Sequence, residues 1–563
     1  MTVHAREVLP SSAKGSAIVP DSQGINLWRA DPAFARLLRL YLPADLLAAL
    51  EPQLDRLGAL AGGELDRLAG IADQNPPVLH VRNRRGEDID SIDYHPAYRD
   101  MERLAFAEFG LAAMSHRAGV FGWPEPLPPA AKYALTFLFA QAEFGLLCPV
   151  NMTDSLARVL RRYGSPELVA RYLPLLTSQD LETLHQGAMF LTEQSGGSDL
   201  SGIAVTASPL ADGAYSLTGE KWFCSNADAE LALVLARIEG GPPGTKGLSL
   251  FLMPRTLPDG SRNALRIIRL KDKLGTRSMA SGEIRLDGAI AWLIGEPEQG
   301  VKQMAEMINS SRLSNGVRSA GMMRRAVHEA LFVARHREAF GRRLIDLPLM
   351  QRQLAKMLIR AEQARCMVFQ AADALHKADA GDEDARRLVR ILTPLLKFRA
   401  CRDARSVTGD AMEVRGGCGY IEEWPEPRLL RDAHLGSIWE GASNIVALDV
   451  VRAARKEGAL DVLTRHVRGL LADVPLEDCP EALLRALSLF ERAREDEALV
   501  RSAASALYHV TSAAVMAWEA KRTGDEHRAQ LAHMVLRHRV LPLDPLDHDT
   551  SEREALPAIL AAA

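Results

Sequence analysis

Glu440 stands between Trp439 and Gly441 in "GSIWEGASNIVALDVVR", with apolar residues on either side. A glutamate ionises near pH 4.3 in water, but apolar surroundings penalise its charged form and bring its pKa toward the working range of a general base. The glycine that follows has no Cβ and lets a ligand come close to the backbone. A helix-capping or surface acid would look the same in sequence. A second stretch, "LTEQSGGSDL", sets the hydroxyls of Thr192 and Ser198 around paired glycines. Free backbone N–H groups there would suit a polar ring edge or a phosphate, and an ordinary turn accounts for them equally. In the third, "KWFCSN", Trp222 and Phe223 come just before the hydroxyl of Ser225, an arrangement suited to a flat ring against a strand or to a barrel core.

Other chemistries are missing from the sequence. No G-x-G-x-x-G follows a strand, and "GGPPGTKG" lacks the spacing of a phosphate-cradling lysine loop, so nicotinamide and ATP chemistry lose ground. His328 and His336 are too far apart for a zinc-binding H-E-x-x-H, and no G-x-S-x-G elbow offers a serine nucleophile. The six cysteines show no C-x-x-C pairing, which reads as reduced thiols and no metal site. A net charge of -4 gives no general attraction to polyphosphate. The amino-terminal residues lack an apolar signal core and no run is long enough to span a membrane, so a cytoplasmic protein is expected.

The elements that must position these residues follow from hydrophobic period. At 563 residues the chain exceeds one ordinary core. Apolar residues recur every three or four positions through residues 1–187, which predicts an N-terminal helical domain. Residues 188–297 change to short β-rich runs broken by Asp212-Gly213, Asp287-Gly288 and other turns, which predicts a compact antiparallel β domain. Helices return over 298–456, with Leu354, Leu358, Ala361, Ala364, Val368, Ala371 and Leu375 on one stripe of a bundle helix. After the break at "ADVPLEDCP", residues 457–563 read as an appended helical domain.

In this order the stretches "MFLTEQSGGS", "KWFCSN", "RHREAFGRRL", "EVRGGCGY" and "WEGASN" resemble the motif series of the acyl-CoA dehydrogenase family, from about residue 25 to about residue 455. "QNPPVLHV", "LPDGSRNALRIIRLKDKLGTRSMAS" and "GMMRRAVHEA" resemble its bacterial alkylation-response branch. The resemblance implies a multidomain α+β fold: an N-terminal helical domain, a central antiparallel β-barrel, and a C-terminal helical bundle carrying the appended helices. It also implies non-covalent FAD, with Met189, Leu191, Thr192 and Ser198 on the flavin, Phe223 and Ser225 against its ring, and Trp439 beside it. Arg337, Phe340 and Gly417 would complete the cofactor site of a neighbouring subunit, which implies a homo-oligomer, most simply a tetramer. Ser443 and Asn444 would cap a helix facing the cofactor phosphates.

The implied reaction is α,β-dehydrogenation of an acyl-CoA thioester, with Glu440 as base, Arg312 orienting carboxylate or substrate, and an electron-acceptor protein as a possible partner. Some members place the base just before the arginine matching Arg312, where this chain has Ser311. Two glutamines common in the adenine site are replaced here by Pro348 and Glu413. The alkylation-response branch suggests a second reading, a flavoprotein that binds and protects DNA. Charge opposes it: Val451 to Ala563 holds 15 Lys and Arg against 18 Asp and Glu.

Overall fold

The computed structural model describes residues 19–474, 476–542, 546 and 551–563. Residues 1–18 of the expected N-terminal domain, and 475, 543–545 and 547–550 of the appended one, lie outside these. Helices Pro32–Leu38 and Pro166–Leu176 begin where Asp31 and Ser165 accept the N–H groups of Phe34 and Leu168, each with proline at the first helical position. Helix Pro129–Phe139 is buried along its whole length and runs through the core. One departure from the helical expectation is the hairpin of Val78–Arg82 and Asp88–Asp93. Its turn is set by Asn83, whose Oδ1 accepts the N–H groups of Arg85 and Glu87, and by Gly86 at φ +82°.

Five strands close the β domain into a barrel: Thr206–Pro209, Tyr215–Ser225, Ser281–Ile294, Leu248–Pro254 and Leu231–Ile238, which returns to Thr206–Pro209. Leu265–Leu270 extends it at Ser281–Ile294, and Gly187–Phe190 at Leu231–Ile238. The barrel matches the expectation, with one difference: Gly187–Phe190 and Thr206–Pro209 both run parallel to Leu231–Ile238. The chain leaves the sheet between them over residues 191–205, and that excursion carries "LTEQSGGSDL".

Three long helices, Gly300–His336, Pro348–Asp379 and Glu383–Arg415, form the bundle with Pro425–Gly436 and Ser443–Glu457. The predicted stripe faces inward, with Leu375 half-buried at its end. The helices Ala459–Leu471, Cys479–Ala493, Val500–Thr523, Glu526–Arg539 and Ser551–Ala562 share a continuous apolar core with the bundle. All six cysteines are free. Among the described residues no helix is long and apolar enough to cross a membrane, and no cluster of side chains could hold a metal ion.

Candidate active site

The carboxylate of Glu440 is presented by an unusual backbone. Glu440 has φ +49° and Gly441 φ +102°, in the short link between helices Pro425–Gly436 and Ser443–Glu457. A non-glycine residue in the left-handed region stores strain and persists where its surroundings hold it. Here Arg312 Nε donates to the Glu440 carbonyl at 2.9 Å and Lys397 Nζ to the Gly441 carbonyl at 2.5 Å. A Cβ on Gly441 would lie 3.3 Å from Arg312 Nη2, so glycine serves both conformation and space.

The carboxylate itself is held from one helix. Ser311 Oγ donates to Oε1 at 2.8 Å and Asn315 Nδ2 to Oε2 at 3.0 Å, from positions one turn apart. Desolvation pushes the Glu440 pKa up, while the charges of Arg318 and Lys397, the Ser311 bond and Arg312 pull it down. Arg318 is 0% exposed and lies over the rings of Trp439 and Phe144, at 4.7 and 5.0 Å, which themselves stack. These apolar rings and opposing cations leave a basic, partly desolvated carboxylate.

Arg312, the candidate for orienting the carboxylate or substrate, donates to the Glu440 carbonyl and pairs with the side chain of Asp449 at 2.8 Å. Asp449 also takes Arg390, so Arg312 is a fixed brace of the link. Ser311, at the alternative base position, reaches the proposed base directly.

The barrel side of the site is tied together by its backbone. Trp222 N–H donates to the Thr192 carbonyl at 2.7 Å, joining "LTEQSGGS" to "KWFCSN". Phe223 adopts φ +55° and is 59% exposed, with Lys271 Nζ 3.3 Å from the neighbouring Trp222 ring. Met189, Leu191, Thr192 and Ser225 are half-buried, whereas Ser198 is exposed. Ser225 lies against the Cys148 thiol, whose pKa is pushed up to about 11 by burial and is also raised by Glu440, so the barrel and bundle parts meet there.

Arg337, Phe340 and Gly417 form a separate, exposed group. Arg337 Nη1 donates to the Arg415 carbonyl at 2.9 Å beside Gly416, and Phe340 projects at 93% exposure from a tight hairpin. The expected cap is corrected: Ala442 occupies the N-cap position of helix Ser443–Glu457 and no side chain caps it. Ser443 and Asn444 already lie in the first turn, where their side chains meet Arg402 and Arg501, both at 3.4 Å.

Sequence reasoning missed Asn315 and Arg318 of helix Gly300–His336, Lys397 of helix Glu383–Arg415, and Phe144 of the turn before Leu147, which reach the Glu440 link from far along the chain. It also missed the pair that closes the 191–205 excursion. Lys221 Nζ donates to Glu193 at 2.7 Å, and Glu193 accepts the N–H groups of Ala204 and Val205. The acid in "LTEQ" was the available signal.

Family models match the adaptive response protein AidB N-terminal domain over residues 18–183, the acyl-CoA dehydrogenase middle domain over 188–289 and the acyl-CoA dehydrogenase C-terminal domain over 298–454. AidB of Escherichia coli (strain K12) is 37% identical over 434 residues, covering 75% of this chain and 76% of that protein. The chain belongs to the acyl-CoA dehydrogenase family. Acyl-CoA dehydrogenase family member 11 of Caenorhabditis elegans is 33% identical, covering 85% of this chain and 79% of that protein. The crystal structure of C. elegans ACDH-11 in complex with C11-CoA superposes with a TM-score of 0.87 at 29% identity, covering 96% of each chain. Acyl-CoA dehydrogenase family members are flavin-dependent oxidoreductases of acyl-CoA thioesters.

Proposed function

We propose that this chain is an FAD-dependent acyl-CoA dehydrogenase that removes a proton from the carbon next to the thioester carbonyl through Glu440. The observation that carries this is the Glu440 carboxylate, desolvated against Trp439 and Phe144 yet held by Ser311 and Asn315. Burial makes it a stronger base, the two donors orient it, and Arg312 and Lys397 fix the backbone that aims it.

FAD, when bound, supplies the acceptor for the hydride that leaves the next carbon. The residues fit such a group: exposed Phe223 offers an aromatic face, and the Gly196-Gly197 turn leaves the donors of Thr192 and Ser198 within reach of a ligand. Met189, Leu191, Ser225 and Trp439 would flank the ring, with Ser443 and Asn444 toward the phosphates. The exposed Arg337, Phe340 and Gly417 fit contact with a cofactor in a second copy, which supports a homo-oligomer. An electron-transfer protein would reoxidise the flavin, and a cytoplasmic location suits the free thiols. The C11-CoA bound by the C. elegans relative makes C11-CoA the first substrate to test.

The test is an anaerobic absorbance titration of the purified protein with straight and branched acyl-CoAs. Loss of flavin absorbance is expected for at least one, and Glu440→Gln is expected to retain FAD while losing that bleaching. Bleaching at the wild-type rate in Glu440→Gln would remove Glu440 from the reaction. FAD retention with no bleaching by any acyl-CoA in the wild-type protein would favour a flavin-bearing scaffold.

A further inference from the structure

An open groove of about 490 Å³ lies where helix Glu383–Arg415 meets the appended helices, lined by residues outside the Glu440 link but bordering it where Arg501 meets Asn444. Its volume falls within the range of small-molecule sites. Arg399, Arg501, Arg539, His509, Ser502 and Ser505 contribute to its lining. We propose that this groove binds a small phosphorylated anion of the size of pyrophosphate or a nucleoside diphosphate.

The charge of these arginines is only partly compensated. Arg399 and Arg539 share one oxygen of a single carboxylate: Arg399 Nη2 donates to Asp403 Oδ1 at 2.6 Å and Arg539 Nη2 to the same atom at 3.3 Å. Arg402 and Arg405 continue the Arg399 face of the same helix at three-residue spacing, and Arg501 faces them from the helix Val500–Thr523. Among the described residues, Arg402 donates only to the Ser443 hydroxyl, Arg501 only to Asn444, and the Nε atoms of Arg399, Arg405 and Arg539 have no partner. Like charges so placed repel one another. Desolvation and then the neighbouring arginines depress the basicity of Arg402; for Arg539 desolvation again leads, and Arg399 and Arg360 add to it against the pull of Asp403. A folded protein that keeps such repulsion gains from an anion that relieves it.

The donors also match phosphate in kind. Guanidinium forks present paired N–H groups to phosphate oxygens. Gln363 Nε2 lies 3.0 Å from His509 Nδ1, and burial lowers the pKa of His509, which lines the groove as a neutral ring. The hydroxyl of Ser505 already meets Arg399 at 3.4 Å. The other imidazole of the lining, His538, is engaged by Glu552 at 2.9 Å. The concave shape favours a small anion over duplex DNA, which needs a basic face spread along a groove, and the appended helices are net acidic.

Calorimetric titration of the full-length, FAD-saturated protein with pyrophosphate and with ADP at low salt tests the proposal. Saturable binding of one anion per chain is expected, weakening with added salt. Arg399→Gln and, at the exposed rim, Arg501→Gln should each weaken it about tenfold, the loss of one charge-assisted contact, while Arg468→Gln, exposed on helix Ala459–Leu471 and outside the lining, should not. Circular dichroism confirms that the variants fold. The proposal would be overturned by no saturable binding of either anion, by equal weakening in Arg468→Gln, or by loss of FAD from Arg501→Gln, which would give these arginines to the cofactor. Binding of duplex DNA through Arg399 and Arg501 without competition from pyrophosphate would also overturn it.

Discussion

Removing the Ser311 hydroxyl tests the proposed base most directly, because it changes the basicity of Glu440 without touching its backbone. Ser311 Oγ donates to the carboxylate at 2.8 Å and thereby favours the ionised form. A hydrogen bond to a charged group contributes roughly 1.5 to 3 kcal/mol, and 1.36 kcal/mol corresponds to about one pKa unit. Asn315, Arg318 and Lys397 remain, and water can enter the space left by the hydroxyl, so Ser311→Ala should raise the Glu440 pKa by about one unit. Desolvation already raises it in the folded protein.

The assay is the pH dependence of flavin bleaching by a fixed acyl-CoA. Its acid limb should move to higher pH by about one unit in Ser311→Ala, and return toward the wild-type position in Ser311→Thr, which keeps the hydroxyl. Stability provides an independent reading. A carboxyl whose folded pKa lies above its unfolded value contributes stability below the unfolded pKa and loses it as pH rises through the folded one. Ser311→Ala should therefore be more destabilising at pH 8 than at pH 4. An unmoved acid limb, or one displaced to lower pH, would refute the assigned role of the hydroxyl.

Other perturbations follow from neighbouring parts of the site. Lys221→Met leaves the Glu193 carboxylate buried without its partner, and calorimetry should show a loss of about 3 to 5 kcal/mol together with weaker FAD retention; a loss within error would show that the pair does not hold the 191–205 excursion. Gly441→Ala forces a side chain onto φ +102° beside Arg312, at about 1 to 3 kcal/mol, and should lower the bleaching rate while FAD stays bound. Asp432, whose pKa is pushed up to about 7 by burial and then by Glu143 and Asp73, accepts the Thr276 N–H at 2.6 Å. Its contribution to stability is present below its unfolded pKa and lost as pH rises toward 7, so Asp432→Asn should flatten the decline in unfolding free energy between about pH 4 and 7. An unchanged pH slope would show that Asp432 does not titrate there.

Much of this protein was legible along the chain because its signals are local. The three-to-four residue period of Leu354 to Leu375 specifies a helix and its buried stripe, and the change to short β runs after Met189 specifies a barrel without reference to distant residues. Glu440 was visible for the same reason: its apolar flanks and following glycine are adjacent to it. Which groups would surround that carboxylate was not. Ser311 and Asn315 lie more than a hundred positions away, and their one-turn spacing gains meaning only when helix Gly300–His336 is packed against the link. Nor could periodicity show that Arg312 would brace the backbone, that Ala442 would take the N-cap position expected of its neighbours, or that an excursion would leave two strands parallel on one partner. A hydrophobic pattern records which face of an element leaves water. The direction and partner of each polar group depend on the elements brought beside it, and only the tertiary packing decides those.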